Sequence, residues 1–332
     1  MKIGAMEVKP AWSASGAQGF FGEGYWYHKI TAVFGMWFLF TSFVAKTSTL
    51  LKRSGNMLLG NDGITATEWI PRCVIVKWWK RVVLNAVSLS GPGIDDLLSR
   101  NEWQKRKKPF FISLMSVAGT LEEQAEEIRQ AIRKIIAAIK RGEFRTKIGI
   151  QLNISCPNAD VKHKNIVITA IMLLNIIAEE DPDRLLTVVV KVAPTITAFE
   201  CQAITEHPHC DGLCIGNTVP FGELPDDIDW VYYFGTADPK ESPLAKRGFQ
   251  PGGLSGKPLL PIVCRLIREV RKLGVRKHIN ACGGILGPIS AWKALHAGAD
   301  SISIGSSTML APWGVLPAII MSHVVTWWRS KL

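Results

Sequence analysis

The stretch IGIQLNISCPNAD at 148–160 carries an apolar run straight into Asn153, Ser155, Cys156 and Asn158. Two amides, a hydroxyl and a thiol at the end of a core-bound strand each cost about 1–3 kcal/mol if buried without partners. They belong beside each other or beside a ligand. Cys156 sits before Pro157, which restrains the turn. A thiol in such a turn acts as a general base when its pKa lies near working pH. Its inert alternative is a small buried hydrophobe, the usual fate of a cysteine. Asparagine amides pair with both donors and acceptors of a planar amide or imide. Lys191 closes another apolar run, TVVVK. It is either a surface lysine past a buried strand or a cation facing charge that develops in a reaction, as on the N1 edge of a reduced flavin. Gly252-Gly253, Gly283-Gly284 and Gly305-Ser306 fall late in the chain. Glycine lets backbone N–H groups approach phosphate oxygens, so together they point to a phosphate-bearing ligand.

These groups need elements to position them. From residue 110 the chain alternates. FFISLMSVAG reads as a strand, and TLEEQAEEIRQAIRKIIAAIKRG as an amphipathic helix. Thr120 caps that helix, Glu122 and Glu123 favour its start, and Lys140 and Arg141 favour its end. Strands follow at KIGIQLNIS, LLTVVVKVAP, DGLCIGNT, HINACGG and SISIGSS, with helices between them and a last helix around 313–328. Such alternation implies a parallel sheet with both faces covered. Six units lie between 110 and 328. Strands around AWSAS and FTSFVAKTS bring the total to eight, the number that closes a (β/α)8 TIM barrel. The reading is one domain over residues 1–332, with long inserted loops at 49–108 and 219–252. A doubly wound open sheet is the runner-up. In a barrel the site lies where strands end. Those ends supply Ser13 to Gly16, Lys46, Asn153 with Cys156 and Asn158, Lys191, Asn217-Thr218, Gly283-Gly284 and Gly305-Ser306.

Composition narrows the class. Of 332 residues, 47% are hydrophobic, enough for a large core and against disorder. The 7 cysteines are odd in number and irregular in spacing, and no signal peptide opens the chain, which points to a reducing, cytoplasmic home. His207, His209, Cys210 and Cys214 cluster, but Cys210 and Cys214 flank a strand-like run that turns them away from a shared centre, so no metal site is expected. The net charge of +11 suits anionic ligands, nucleic acid or acidic lipid and does not choose among them. The apolar run 30–45 is short of the ~20 residues a bilayer needs. Residues 309–328 contain Pro312, Pro317 and His323. Each run reads as buried protein, with peripheral membrane contact through Trp327 and Trp328 left open.

LNISCPN, VVVKVAP, IGNT, GGLSGKP, NACGGI and GADSISIGSS, in that order, resemble the dihydroorotate dehydrogenases; SASG, FVAKTST and VLNAVSLSGPG extend the likeness upstream, over most of residues 12–310. The resemblance implies an FMN-containing barrel that oxidises dihydroorotate to orotate in pyrimidine synthesis. It implies that Cys156 takes a proton from C5 of the substrate while hydride passes from C6 to flavin N5. Asn85, Asn153, Asn158 and Asn217 would hold the pyrimidine, with Thr218 beside them. Lys46 would lie near flavin and substrate, and Lys191 near the flavin ring. Ala14, Ser15 and Gly16 would pack on the flavin, Asn153 would reach it, and Gly253, Gly283, Gly284, Gly305 and Ser306 would cradle its phosphate. A cysteine base resembles the soluble class of the family. A homodimer and a separate electron-transfer subunit are partners the family allows; nucleic acid is not expected. The electron acceptor (fumarate, NAD through a partner, or a quinone) stays open. Three features depart from the pattern. Ser88 stands where the family often has glycine, ADVKHKN lacks the Gly/Pro character of the family's active-site loop, and GFFGEGYWYHKI is not a hallmark of the family. Competing readings are a flavin barrel of the dihydropyrimidine dehydrogenase kind, which has Cys-Pro-His where this chain has Cys156-Pro157-Asn158, a tRNA dihydrouridine synthase, and a non-catalytic flavin-binding barrel.

Overall fold

The computed structural model describes residues 1–31, 39–155 and 166–331. Cys156 and Asn158 lie outside the described residues. Eight parallel strands form the centre: β1 (Ala11–Ser13), β2 (Phe43–Val44), β3 (Phe110–Leu114), β4 (Ile148–Asn153), β5 (Thr187–Val192), β6 (Gly212–Ile215), β7 (His278–Cys282) and β8 (Ser301–Ile304). From β2 to β8 each strand pairs with the next in chain order, and β8 pairs with β1. A parallel bridge between Trp12 and Ser42 closes the ring, and there the Ser13 N–H donates to the Ser42 carbonyl at 2.9 Å. The architecture is the (β/α)8 barrel that the alternation implies; an open sheet would leave two unpaired edges.

Among the described residues six helices cover the ring: α1 (Leu121–Lys140), α2 (Ile166–Glu180), α3 (Ala198–Glu206), α4 (Leu259–Lys272), α5 (Pro288–His296) and α6 (Pro312–Arg329). The start of α1 shows why the chain turns helical there. Thr120 Oγ1 accepts from the Glu123 N–H at 3.2 Å, and Glu123 Oε2 accepts from the Thr120 N–H at 3.1 Å. Ile128, Ile132 and Ile135 then bury one stripe against the strands.

Strand side chains alternate in direction, so each strand feeds both the outer core and the barrel interior. Trp12, Val44, Phe111 and Val189 come from four different strands yet form one cluster with Ile3 and Met6 of the N-terminal hairpin. They plug the lower barrel. Trp12 stacks on Phe111 at 4.7 Å and on His278 at 5.6 Å. Gly149 leaves room for this plug, since a Cβ there would sit 2.4 Å from the Phe111 ring. Further up the same inward faces come Asn153 and Lys191, paired across β4 and β5. The barrel therefore has an apolar floor and a polar rim.

The two inserted stretches are more ordered than their turn signals imply. Val74–Lys77, Val82–Asn85, Gly253–Gly256 and Val219–Pro220 form a four-stranded antiparallel sheet. It carries its own core of Leu84, Leu254, Phe221, Trp230 and Leu244. Its two halves lie far apart in sequence, so no local pattern announces the pairing.

Candidate active site

A cavity of about 650 Å³ opens where the barrel strands end. The β1 exit contributes Ala14, Ser15 and Gly16, and the β2 exit contributes Lys46 and Thr47. Asn153 and Lys191 project from β4 and β5. The β6 exit adds Asn217 and Thr218, the β7 exit Gly283 and Gly284, and the β8 exit Gly305 and Ser306. Asn85 arrives from the antiparallel sheet. Residues chosen from strand-end chemistry and from the family motifs thus share one wall. Gly253 does not reach it: this residue pairs with Asn85 and Pro220 inside the antiparallel sheet, and Ser255 faces the cavity instead.

An amide chain holds the rim. Asn217 Nδ2 donates to Asn153 Oδ1 at 3.1 Å and to the Ser155 carbonyl at 2.7 Å, while Asn217 Oδ1 accepts from the Thr218 N–H at 3.0 Å. Asn153 Nδ2 reaches Thr47 Oγ1 at 3.4 Å, and that hydroxyl lies 2.9 Å from both Ser15 Oγ and Ser113 Oγ. Five strand exits are tied together. The polar groups ending the 148–155 run are satisfied mainly by one another. Lys46 Nζ donates to the Ser90 carbonyl and lies 4.7 Å above the Phe20 ring. The approach of β6 to β7 requires Gly216 (φ +124°), where a Cβ would lie 1.2 Å from the Cys282 carbonyl oxygen.

Sequence reasoning passed over several groups. Cys282 lines the cavity, with the Cys214 thiol as its neighbour. The Cys214 hydrogen bond lowers the Cys282 pKa to about 7 against the opposing effect of burial, and the Lys191 ammonium helps. Cys214 is pushed well above the usual thiol range by the same contact and by burial. The aromatic opening, which had no role, supplies cavity wall: Tyr25, Trp26 and Tyr27, joined by Trp69. Tyr25 donates to the Gly16 carbonyl at 2.9 Å, and Trp26 stacks on Trp69 at 4.5 Å. Burial raises both phenols, Tyr27 to about 12, so they stay protonated donors. Ser88 and Leu89 both take left-handed backbone (φ 57° and 59°), a conformation that costs side-chain-bearing residues about 1 kcal/mol or more. Asn56 braces this turn, donating to Ser88 Oγ at 3.0 Å and to Gln250 Oε1 at 2.7 Å. Ser88 in a glycine-like position was the only advance signal.

The residues present fit a phosphorylated flavin. Lys191 is buried at the rim, and among the described residues no carboxylate lies within ion-pair distance of it. Such a cation is costly unless a ligand answers it. Gly284 has φ +71°, and a Cβ there would meet the Leu260 backbone nitrogen at 2.7 Å, so glycine is what lets this cavity-lining loop pack against the start of α4.

The family model described as dihydroorotate dehydrogenase matches residues 13–322. The chain belongs to the dihydroorotate dehydrogenase family. Among its relatives, the catalytic subunit of dihydroorotate dehydrogenase B (NAD(+)) from Endomicrobium trichonymphae is 27% identical over 279 residues, covering 83% of this chain and 77% of the relative. The dihydroorotate dehydrogenase A (fumarate) of Lactobacillus delbrueckii subsp. bulgaricus is 27% identical over 227 residues, 68% of this chain and 66% of the relative. A crystal structure of DHODH from Eimeria tenella, in complex with ferulenol, superposes with a TM-score of 0.64 at 18% identity, covering 97% of this chain and 82% of that one; it shares the fold. Among the described residues no helix is long and apolar enough to cross a membrane.

Proposed function

We propose that this family member oxidises dihydroorotate to orotate with FMN, as a step of pyrimidine synthesis. Family membership and the barrel support a flavin-dependent oxidoreductase. The observation that carries the finer reading is the convergence of Lys46, Asn85, Asn153, Lys191 and Asn217 on one cavity with the late glycines.

Gly283, Gly284, Gly305 and Ser306 would hold the phosphate, and Ala14, Ser15 and Gly16 would pack on the ring system. Bound FMN supplies a two-electron acceptor. The chain's own residues bind and orient. The Lys191 ammonium answers negative charge on the ring. Asn153 and Asn217 are fixed by their mutual hydrogen bond, so their orientation is set before substrate arrives, the form of preorganisation that spares binding energy. The Asn217 carbonyl oxygen keeps acceptor capacity for a pyrimidine N–H group. The Lys46 ammonium offers a counter-charge to the substrate carboxylate. Cys156 is the proposed base, supported by its place in the sequence directly after Ser155 and by the family motif. A separate electron-transfer subunit is supported by the NAD(+) relatives, which are named as catalytic subunits.

Cys156→Ala is expected to leave the purified protein yellow and to slow its anaerobic reduction by dihydroorotate about 100-fold, the scale of a lost general base. Reduction at the wild-type rate would remove the thiol from this role.

A further inference from the structure

Helix α6 is apolar on both sides. Gly314, Val315, Ala318 and Ile319 pack inward. The outer face, read at helical spacing, is Trp313, Pro317, Ile320, Val324, Trp327 and Trp328, every one exposed. That stripe runs for about 22 Å at 1.5 Å per residue. A helix that is hydrophobic all round belongs under cover, and a continuous exposed apolar patch marks a contact surface. Two neighbours extend it. The turn between Lys77 and Val82 carries Trp78 and Trp79, and Trp79 is 99% exposed. The Trp78 indole N–H donates to the Met309 carbonyl at 2.9 Å, which pins this turn to the start of α6. Farther along, His323 Nε2 bonds the Phe40 carbonyl at 3.1 Å, placing exposed Leu39 and Phe40 against the helix.

Charge identifies what covers the face. The described segments that build it, 39–40, 77–82 and 309–331, contain no Asp or Glu. Their charged residues are cations only: Lys77, Lys80 and Arg81 bracket the Trp78-Trp79 turn, and Arg329 and Lys331 close α6. A second copy would set these cations against themselves. An anionic bilayer surface satisfies both features, because indoles settle at the headgroup boundary and Lys or Arg side chains gain from acidic lipid. No described helix is long and apolar enough to span, so the geometry is that of a helix lying in the interface. We propose that α6 and the Trp78-Trp79 turn form a docking face for an anionic membrane surface. Met309, which lines the cavity, borders this same face through the Trp78 hydrogen bond.

The full-length protein is mixed with vesicles of phosphatidylcholine alone or of phosphatidylcholine with phosphatidylglycerol, and floated on a density gradient. The expected result is flotation with the acidic vesicles, a blue shift of indole fluorescence on binding, and release by salt. Trp79→Glu combined with Ile320→Glu should lower binding at least tenfold, about the effect of moving two interfacial apolar groups back to water, with an unchanged melting curve. Trp79→Ser alone, at a fully exposed tip, should give a smaller drop in the same direction and serves if the double variant does not fold. Absence of flotation with acidic vesicles, or equal flotation of a folded double variant, would overturn the proposal. So would a lipid-free dimer in light scattering that the double substitution dissociates, since a second copy would then own the face.

Discussion

The rim asparagines do structural and recognition work with the same atoms. Asn217 Nδ2 bridges Asn153 and the Ser155 carbonyl, so it holds β4 to β6 before any ligand binds. Asn217→Ala strands two acceptors, and we expect it to cost about 1–3 kcal/mol in urea unfolding and to weaken cofactor retention. Unaltered stability would mean that the bridge is dispensable. Cys282 yields a pH dependence. Its pKa falls from 9.0 toward 7 in the folded chain because the Cys214 thiol and the Lys191 ammonium lie near, while Cys214, whose thiol donates to Asn280 Oδ1 at 3.3 Å, keeps its proton. Between those pH values the unfolded chain holds a proton that the folded pair has released, so stability rises from pH 7 to pH 9 and is lost as pH falls through 7. The stability difference between wild type and Cys282→Ser should grow over that interval; a difference that stays flat contradicts the thiol contact.

At the scale of elements, what the sequence made visible follows from how local each signal is. The β/α alternation, the Thr120 cap and the strand ends at Asn153 and Lys191 are local patterns, and they correspond to the barrel and its rim. The antiparallel sheet is not local. Val82–Asn85 pairs with Gly253–Gly256 across more than half the chain, and its strands are too short to show alternation. The GG pair at 252–253 reads alike at a strand end and in a sheet, so the pairing of Gly253 with Asn85 was not legible. The aromatic opening had no visible role because Tyr25 and Trp26 matter through Gly16 and Trp69, residues that only the fold brings close. The sheet presents Asn85 to the cavity, so its packing bears on function. Leu254→Ala, at a fully buried position, should cost about 2–5 kcal/mol and raise the FMN dissociation constant measured by fluorescence; a variant that is destabilised yet binds FMN normally would separate the sheet from the site.

The whole molecule divides its labour along the barrel axis. An apolar plug around Trp12 and Phe111 closes the bottom, and the polar rim opens into a cavity walled by aromatics. One broad face outside the cavity combines exposed indoles with cations, and the acidic residues that pair with Arg129, Arg133 and Arg265 lie on α1, α2 and the 219–252 insertion, whose Tyr233 carbonyl accepts from Lys77 at 2.8 Å. The surplus of +11 is thus unevenly spread, which suits attraction of an acidic ligand or surface. The central claim is that this rim holds a flavin which dihydroorotate reduces. Anaerobic titration of the purified yellow protein with dihydroorotate tests it most directly. The account predicts stoichiometric bleaching of the flavin absorbance, with orotate appearing in equal amount. A flavin that stays oxidised in excess dihydroorotate, while dithionite still reduces it, would contradict the account.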